Sequence, residues 1–124
     1  MLPAQTIIPP SDVLSSVASS YTRLGVTVVE TPVATFVGED TARGTAVVAA
    51  DLGIVECVLP DDVEPSALGS GIAAMASAGW EVTLLVPAPR LGEAHRALRG
   101  MPVTIQPWWL DPAHGICFGA SEVP

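Results

Sequence analysis

The sequence predicts a single α/β domain built on a mixed β-sheet, and three observations lead there. Short β-branched runs alternate with stretches of helical periodicity along the 124 residues. Two of those runs, 45–50 and 54–59, are separated only by Asp51-Leu52-Gly53, a three-residue connection of the hairpin type. Beyond the hairpin, strand and helix patterns alternate twice, which is the signature of β-α-β crossovers and parallel strands. At this length roughly two thirds of the unfolded chain's surface is buried on folding, so one core suffices without a disulfide or metal staple.

Each element has a local reason. Pro9-Pro10 closes an extended N-terminal segment, residues 1–10, and Ser11 is placed to N-cap a helix. Leu14, Val17, Ala18 and Tyr21 form its apolar stripe, Ser15, Ser16, Ser19 and Ser20 its other arc, and Gly25 its C′ residue. Residues 26–31 alternate as a strand does. Pro32 interrupts them, making 33–37 either a bent continuation or an edge strand. After a polar loop and the hairpin, Glu64-Pro65-Ser66 opens a helix to about Ala78, with Leu68, Ile72, Met75 and Ala76 inward. Residues 81–86 are a strand. Pro89 then suits the first turn of a helix through Arg99, with Leu91, Ala94 and Leu98 inward. The last clear strand is 103–106, and 107–124 reads as an irregular C-terminal tail with room for a short strand at 115–118.

Composition removes several kinds of chemistry. Thirteen acids against five arginines give a net charge of −8, and the chain has neither lysine nor asparagine. Without lysine there is no Schiff base, no P-loop lysine and no Ser-x-x-Lys acyl transfer. The acidic balance argues against nucleic acid and anionic membrane as partners, because both demand a positive footprint. That charge is uneven. Residues 1–89 hold ten acids and two arginines, whereas residues 90–124 hold three of each. No basic n-region with an apolar core opens the chain, and no uninterrupted apolar run approaches membrane-spanning length. Cys57 and Cys117 form no Cys-x-x-Cys pair and are expected to be free thiols, as in a cytoplasmic protein. Usage rich in Ala, Val, Gly and Arg, with no Lys or Asn, is that of a high-GC bacterial genome.

The order αββ(β)αβαβ is similar to the core of the restriction-endonuclease-like fold, and it also fits a small Rossmann-like domain. The nuclease resemblance implies a metal held by an Asp and a Glu near the hairpin, with a lysine two positions after the latter. The matching residues are Asp51 and Glu56, with Glu30 available from the first strand, but Val58 stands at the lysine position. The resemblance therefore implies a catalytically inactive scaffold. Asp51 also sits where a hairpin turn favours Asp for its own reasons.

In parallel sheets ligands bind outside the carboxyl ends of the strands. Three such ends converge here: Pro60-Asp61-Asp62, Pro87-Ala88-Pro89-Arg90 and Gln106-Pro107-Trp108-Trp109. An enzyme would use Asp61 or Asp62 as base or metal ligand and Arg90 as an anion clamp. The same acids also suit the dipole of the helix that follows. Gly69-Ser70-Gly71-Ile72-Ala73-Ala74 matches a dinucleotide pattern, but it lies ten residues beyond Leu59 rather than directly after a strand. Close helix packing is the simpler reading. Asp111, His114 and Cys117 are evenly spaced metal ligands, although Pro112 and Gly115 deny them a helix. Trp108 and Trp109, adjacent in an extended segment, point to opposite faces, so that either one fills the core and the other becomes a surface anchor, or the tail folds back and buries both.

These observations favour a protein without cofactor that acts through protein contacts, by self-association as a homodimer or with another chain, using Arg90, Trp108 and Trp109. The alternative is a small-molecule- or metal-dependent enzyme at the strand-end rim.

Overall fold

The computed structural model describes residues 10–34 and 44–124. Six strands form one mixed sheet in sequence order: β1 (Val29–Pro32), β2 (Thr45–Ala49), β3 (Ile54–Val58), β4 (Glu81–Pro87), β5 (Thr104–Asp111) and β6 (Gly115–Phe118). β1, β2 and β3 are antiparallel neighbours, β3, β4 and β5 are parallel, and β6 returns antiparallel to β5. The α/β class, the mixed sheet, the hairpin and the two crossovers are those expected. Helix α1 (Pro10–Arg23) lies on one face. Helices α2 (Gly69–Ser77) and α3 (Leu91–Ala97) lie on the other.

The alternation of side chains along each strand sorts the core into two layers. Val55, Cys57, Leu84, Val86 and Ile105 pack under α2 and α3 with Ile72, Met75, Ala94 and Leu98. Val47, Val58, Leu85 and Trp108 pack under α1 with Val13, Leu14 and Val17. Strands buried on both faces read as nearly continuous apolar runs, which is why 54–59 and 81–86 show so little alternation. No helix among the described residues is long and apolar enough to cross a membrane.

Several boundaries differ from expectation, each for a traceable reason. α1 begins at Pro10, one residue before the anticipated cap. β1 begins three residues late because Val26 is occupied elsewhere: its N–H donates to the Tyr21 carbonyl while that of Gly25 donates to Thr22. This is a Schellman cap, and Gly25 supplies its left-handed residue at φ 78°. Pro32 is the last residue of the edge strand β1, paired with Thr45. Val33 and Ala34 are helical rather than extended, and the remainder of 33–37 lies outside the described residues. The extended segment 1–10 also lies outside them apart from Pro10, which is helical.

The largest correction concerns 107–124: residues 107–118 belong to an ordered β-hairpin and only 119–124 are irregular, with a single bridge at Glu122. β5 runs through Pro107 to Asp111 and is answered by β6. Pro107 lacks the N–H that an antiparallel partner would receive. Its carbonyl still accepts from the Gly119 N–H at 2.9 Å, and the orphaned Gly119 carbonyl accepts instead from Gln106 Nε2 at 3.0 Å. A side-chain amide thus replaces the missing backbone donor. Gly119 is required there, because a Cβ would lie 2.8 Å from Pro107 Cγ and 3.3 Å from Trp109. Past Gly119 the pairing resumes between Ile105 and Glu122 with one extra residue on the outer chain, a β-bulge. Glu122 is also held by His95 of α3, Nε2 to Oε1 at 2.9 Å, which ties the C-terminal segment to that helix.

Candidate functional site

α1 covers only part of its sheet face. The uncovered part holds a polar row created by strand register: Glu56 on β3 is opposite Thr83 on β4, and Thr83 is opposite Thr104 on β5. Opposed residues share a face, so these side chains stand side by side, with Gln106 one step further along β5. Thr83 and Thr104 join hydroxyls at 3.0 Å. Tyr21, in the last turns of α1, reaches over from above. Together they floor a groove of about 490 Å³, walled by Val17, Leu24, Ile54 and Phe118 and bordered by Glu81.

Glu56 is the buried charged residue of the core, 8% exposed. Burial raises its carboxyl above the ordinary range, and interaction with the Tyr21 hydroxyl partly opposes that rise. The Tyr21 phenol is raised in turn, first by its own burial and then by its hydrogen bond to Glu56 and that carboxylate's charge. Neighbouring Cys57 faces the other layer, where burial pushes its thiol up to about 12 and makes it unreactive.

A raised carboxyl has a definite pH consequence. Folded protein holds the Glu56 proton to higher pH than unfolded chain does. The associated stability is therefore fully present below the unfolded value and is lost as pH rises through the folded one. Glu56→Gln, which keeps the shape and removes the ionisation, is expected to match wild type in acid and to be the more stable form at neutral pH. Thermal melts of both proteins from pH 4 to 8 measure this; curves that stay parallel across the range contradict it.

The groove opens at the amino ends of β3, β4 and β5, opposite the rim anticipated from the sequence. No known family matches this chain. Comparison with curated proteins and with solved structures likewise finds none similar to it. The site therefore rests on its own geometry.

At the carboxyl-end rim, Arg90 does reach across from β4 to the loop after β3, but its role differs from the one expected. One terminal nitrogen donates to the carbonyls of Pro60 (3.1 Å) and Asp61 (3.5 Å), and the other donates to Val63 (2.8 Å) and to Glu93 Oε2 (2.9 Å). Nε donates to Glu93 Oε1 at 3.2 Å. A guanidinium has five N–H groups, and these contacts occupy them. Arg90 is a loop clamp with no donor left for an anion, and Asp61 and Asp62 are exposed beside it.

The candidate metal ligands do not gather. Glu30 is exposed on β1 and separated from Glu56 by β2, two strand spacings or roughly 10 Å away. Asp51 is exposed in the single 3₁₀ turn of the hairpin. Asp111 caps the β5–β6 turn, accepting from the Ala113 N–H at 2.7 Å and facing His114 Nδ1 at 3.3 Å. Those contacts lower its carboxyl, the Ala113 bond most. Cys117 sits further down the hairpin with its thiol toward the Gly115 carbonyl. Among the described residues, no three His, Cys, Asp or Glu side chains form a group able to hold a metal. Gly69 and Gly71 lie at the start of α2, where a Cβ on Gly71 would contact Val33, consistent with close packing. Trp108 is buried under α1, and Trp109, on the opposite face, is 41% exposed.

Sequence reading missed Tyr21, Thr83 and Thr104 as groove residues and placed Gln106 at the opposite rim. Tyr21 counted only as apolar stripe. Glu56, Thr83 and Thr104 are polar residues inside otherwise apolar strands, a signal available in the sequence, but only the strand register aligns them.

Proposed function

We propose that this is a non-catalytic α/β protein acting through protein–protein contacts, specifically by self-association through the β5–β6 hairpin. The observation carrying this reading is that Trp109 and Leu110, 41% and 45% exposed, are consecutive residues of a hairpin whose second strand is, among the described residues, an open sheet edge. Large apolar side chains beside an unpaired edge are typical of contact surfaces. The local charge also favours it, since the chain's excess of acids precedes residue 90. The element order supports a nuclease-like scaffold without nuclease chemistry: Val58, at the lysine position, is buried under α1. Two free thiols support a reducing, cytoplasmic setting.

The test is light scattering over a concentration series. Wild type is expected above monomer mass, and Trp109→Ala with Leu110→Ser is expected to run as a folded monomer. A wild type that stays monomeric throughout overturns the reading.

Buried Glu56 favours a second reading, a small-molecule site in the amino-end groove. Two acids and apolar walls suit an organic cation, with its ammonium on Glu56 and its carbon body on Ile54 and Phe118. Stabilisation by alkylamines but not by carboxylates, lost in Glu56→Gln, would distinguish it.

A further inference from the structure

The sheet has two edges, and they are not alike. β1 carries Glu30 and Pro32, a charge and a proline of the kind that discourages edge pairing. β6 is Gly-Ile-Cys-Phe, and from Pro112 to Ser121 the chain has no Asp, Glu, Lys or Arg. Its backbone polarity is fixed by the hairpin. Gly119 and Pro107 face each other as a hydrogen-bonded position, so the alternation of an antiparallel ladder makes Cys117 opposite Trp109 another such position. The N–H and C=O groups of Cys117 point inward to β5. Those of Ile116 and Phe118 point outward to the open edge.

We infer that β6 pairs antiparallel with β6 of a second copy of this chain, about a two-fold axis at Cys117, joining two six-stranded sheets into one of twelve strands. This inference rests on the self-association reading above and names the surface and register. Centring on Cys117 sets Ile116 opposite the partner copy's Phe118, and the reverse, so that every outward group of the strand is used in four hydrogen bonds. Centring on Ile116 would instead place Phe118 against the turn residue His114. Centring on Phe118 would place Ile116 beyond Gly119, where the bulge turns the chain away. The α1 face has room for the added strand. The small side chains of Ser15, Ser16, Ser19 and Ser20, with Arg23 and His114 beside them, leave a notch of about 360 Å³ over Ile116 and Phe118. Net charge opposes association of two copies globally, but the β6 residues themselves, Gly115–Phe118, bring no like charges together.

The register makes a prediction that a generic apolar contact does not. The two Cys117 residues form a non-hydrogen-bonded facing pair, for which Cα atoms lie about 4.5 Å apart, within disulfide range. Diamide, which accepts two electrons and two protons from two thiols, is therefore expected to convert the dimer into a cross-linked species on non-reducing gels. Cys117→Ser is expected to abolish the cross-link but keep the non-covalent dimer in light scattering. Cys57→Ser should leave the cross-link intact. Cys117→Glu sets two carboxylates face to face at the axis without altering the layer under α1, and is expected to yield a folded monomer by light scattering and circular dichroism.

The outcomes separate. A wild type that is monomeric under reducing conditions overturns self-association itself. A dimer that survives Cys117→Glu and does not cross-link keeps self-association and overturns this interface.

Discussion

Arg90→Ala is expected to lower folding free energy by about 2–4 kcal/mol, read as a shift of the denaturation midpoint in urea with an unchanged slope. The magnitude comes from the backbone bonds. Arg90 donates to the carbonyls of Pro60, Asp61 and Val63, three acceptors of one loop, and hydrogen bonds to a charged partner each contribute about 1.5–3 kcal/mol, less than additively. The fork to Glu93 adds orientation and, being exposed, little more. Removal leaves the 60–63 loop unpinned between β3 and the helix that packs on it, where Val63 and Leu68 are buried. Against a total stability of 5–15 kcal/mol this is a large fraction. Arg90→Lys is expected to recover less than half of the loss, because an ammonium cannot span carbonyls on two sides of a planar fork. An alanine variant within about 0.5 kcal/mol of wild type, the ordinary range for surface positions, would mean the clamp is ornamental.

That clamp sits at the rim to which the sequence pointed for a ligand. The rule that parallel sheets bind ligands at strand carboxyl ends correctly located where Arg90 and the Pro60–Val63 loop meet. It could not reveal that three of the guanidinium's five donors are already engaged by loop carbonyls, the other two by Glu93, because backbone acceptors leave no mark in a sequence. Tyr21 illustrates the converse. Its position at i+4 from Val17 is legible, but its partner Glu56 lies on β3, with β1 and β2 in between. Only the overlap of α1 with β3 brings the pair together. Glu56 was singled out for a nuclease-like metal cluster with Glu30 and Asp51. Strand spacing and exposure disperse that cluster, while burial gives Glu56 a different neighbour.

The architecture was more legible than the site because it depends on local chemistry. Asp51-Leu52-Gly53 encodes its own turn, closed by Gly53 at φ 68° although the connection also takes in Ala50, and Gly25 encodes its own cap. Pro107 shows where local rules fail. A proline inside a central strand argues against that strand, and the argument is sound unless a distant group answers the orphaned carbonyl. Gln106 does so through Gly119, thirteen residues on, and the bulge beyond it lets the chain regain Ile105. Such a non-local repair is invisible to periodicity, so an ordered hairpin resembled a tail.

The tryptophan pair inside that hairpin yields the second large effect. Trp108→Ala is expected to cost about 3–5 kcal/mol, the range for emptying a buried indole from a close-packed layer. Trp109→Ala, at a half-exposed position, is expected to cost under about 1 kcal/mol in stability and to show itself in association instead. Trp108→Phe separates the terms within the first value. Among the described residues the Trp108 Nε1–H has no hydrogen-bond partner, and a buried unsatisfied donor costs about 1–3 kcal/mol. Phenylalanine loses some burial but relieves that cost, so the net change is expected to stay below about 1.5 kcal/mol. Urea titrations of the three variants supply the comparison. Equal losses for Trp108→Ala and Trp109→Ala would contradict the assignment of one indole to the core and the other to the surface. If Trp108→Phe approached the alanine value, the donor's isolation would carry no energetic weight and the indole's size alone would set the stability of the α1 layer.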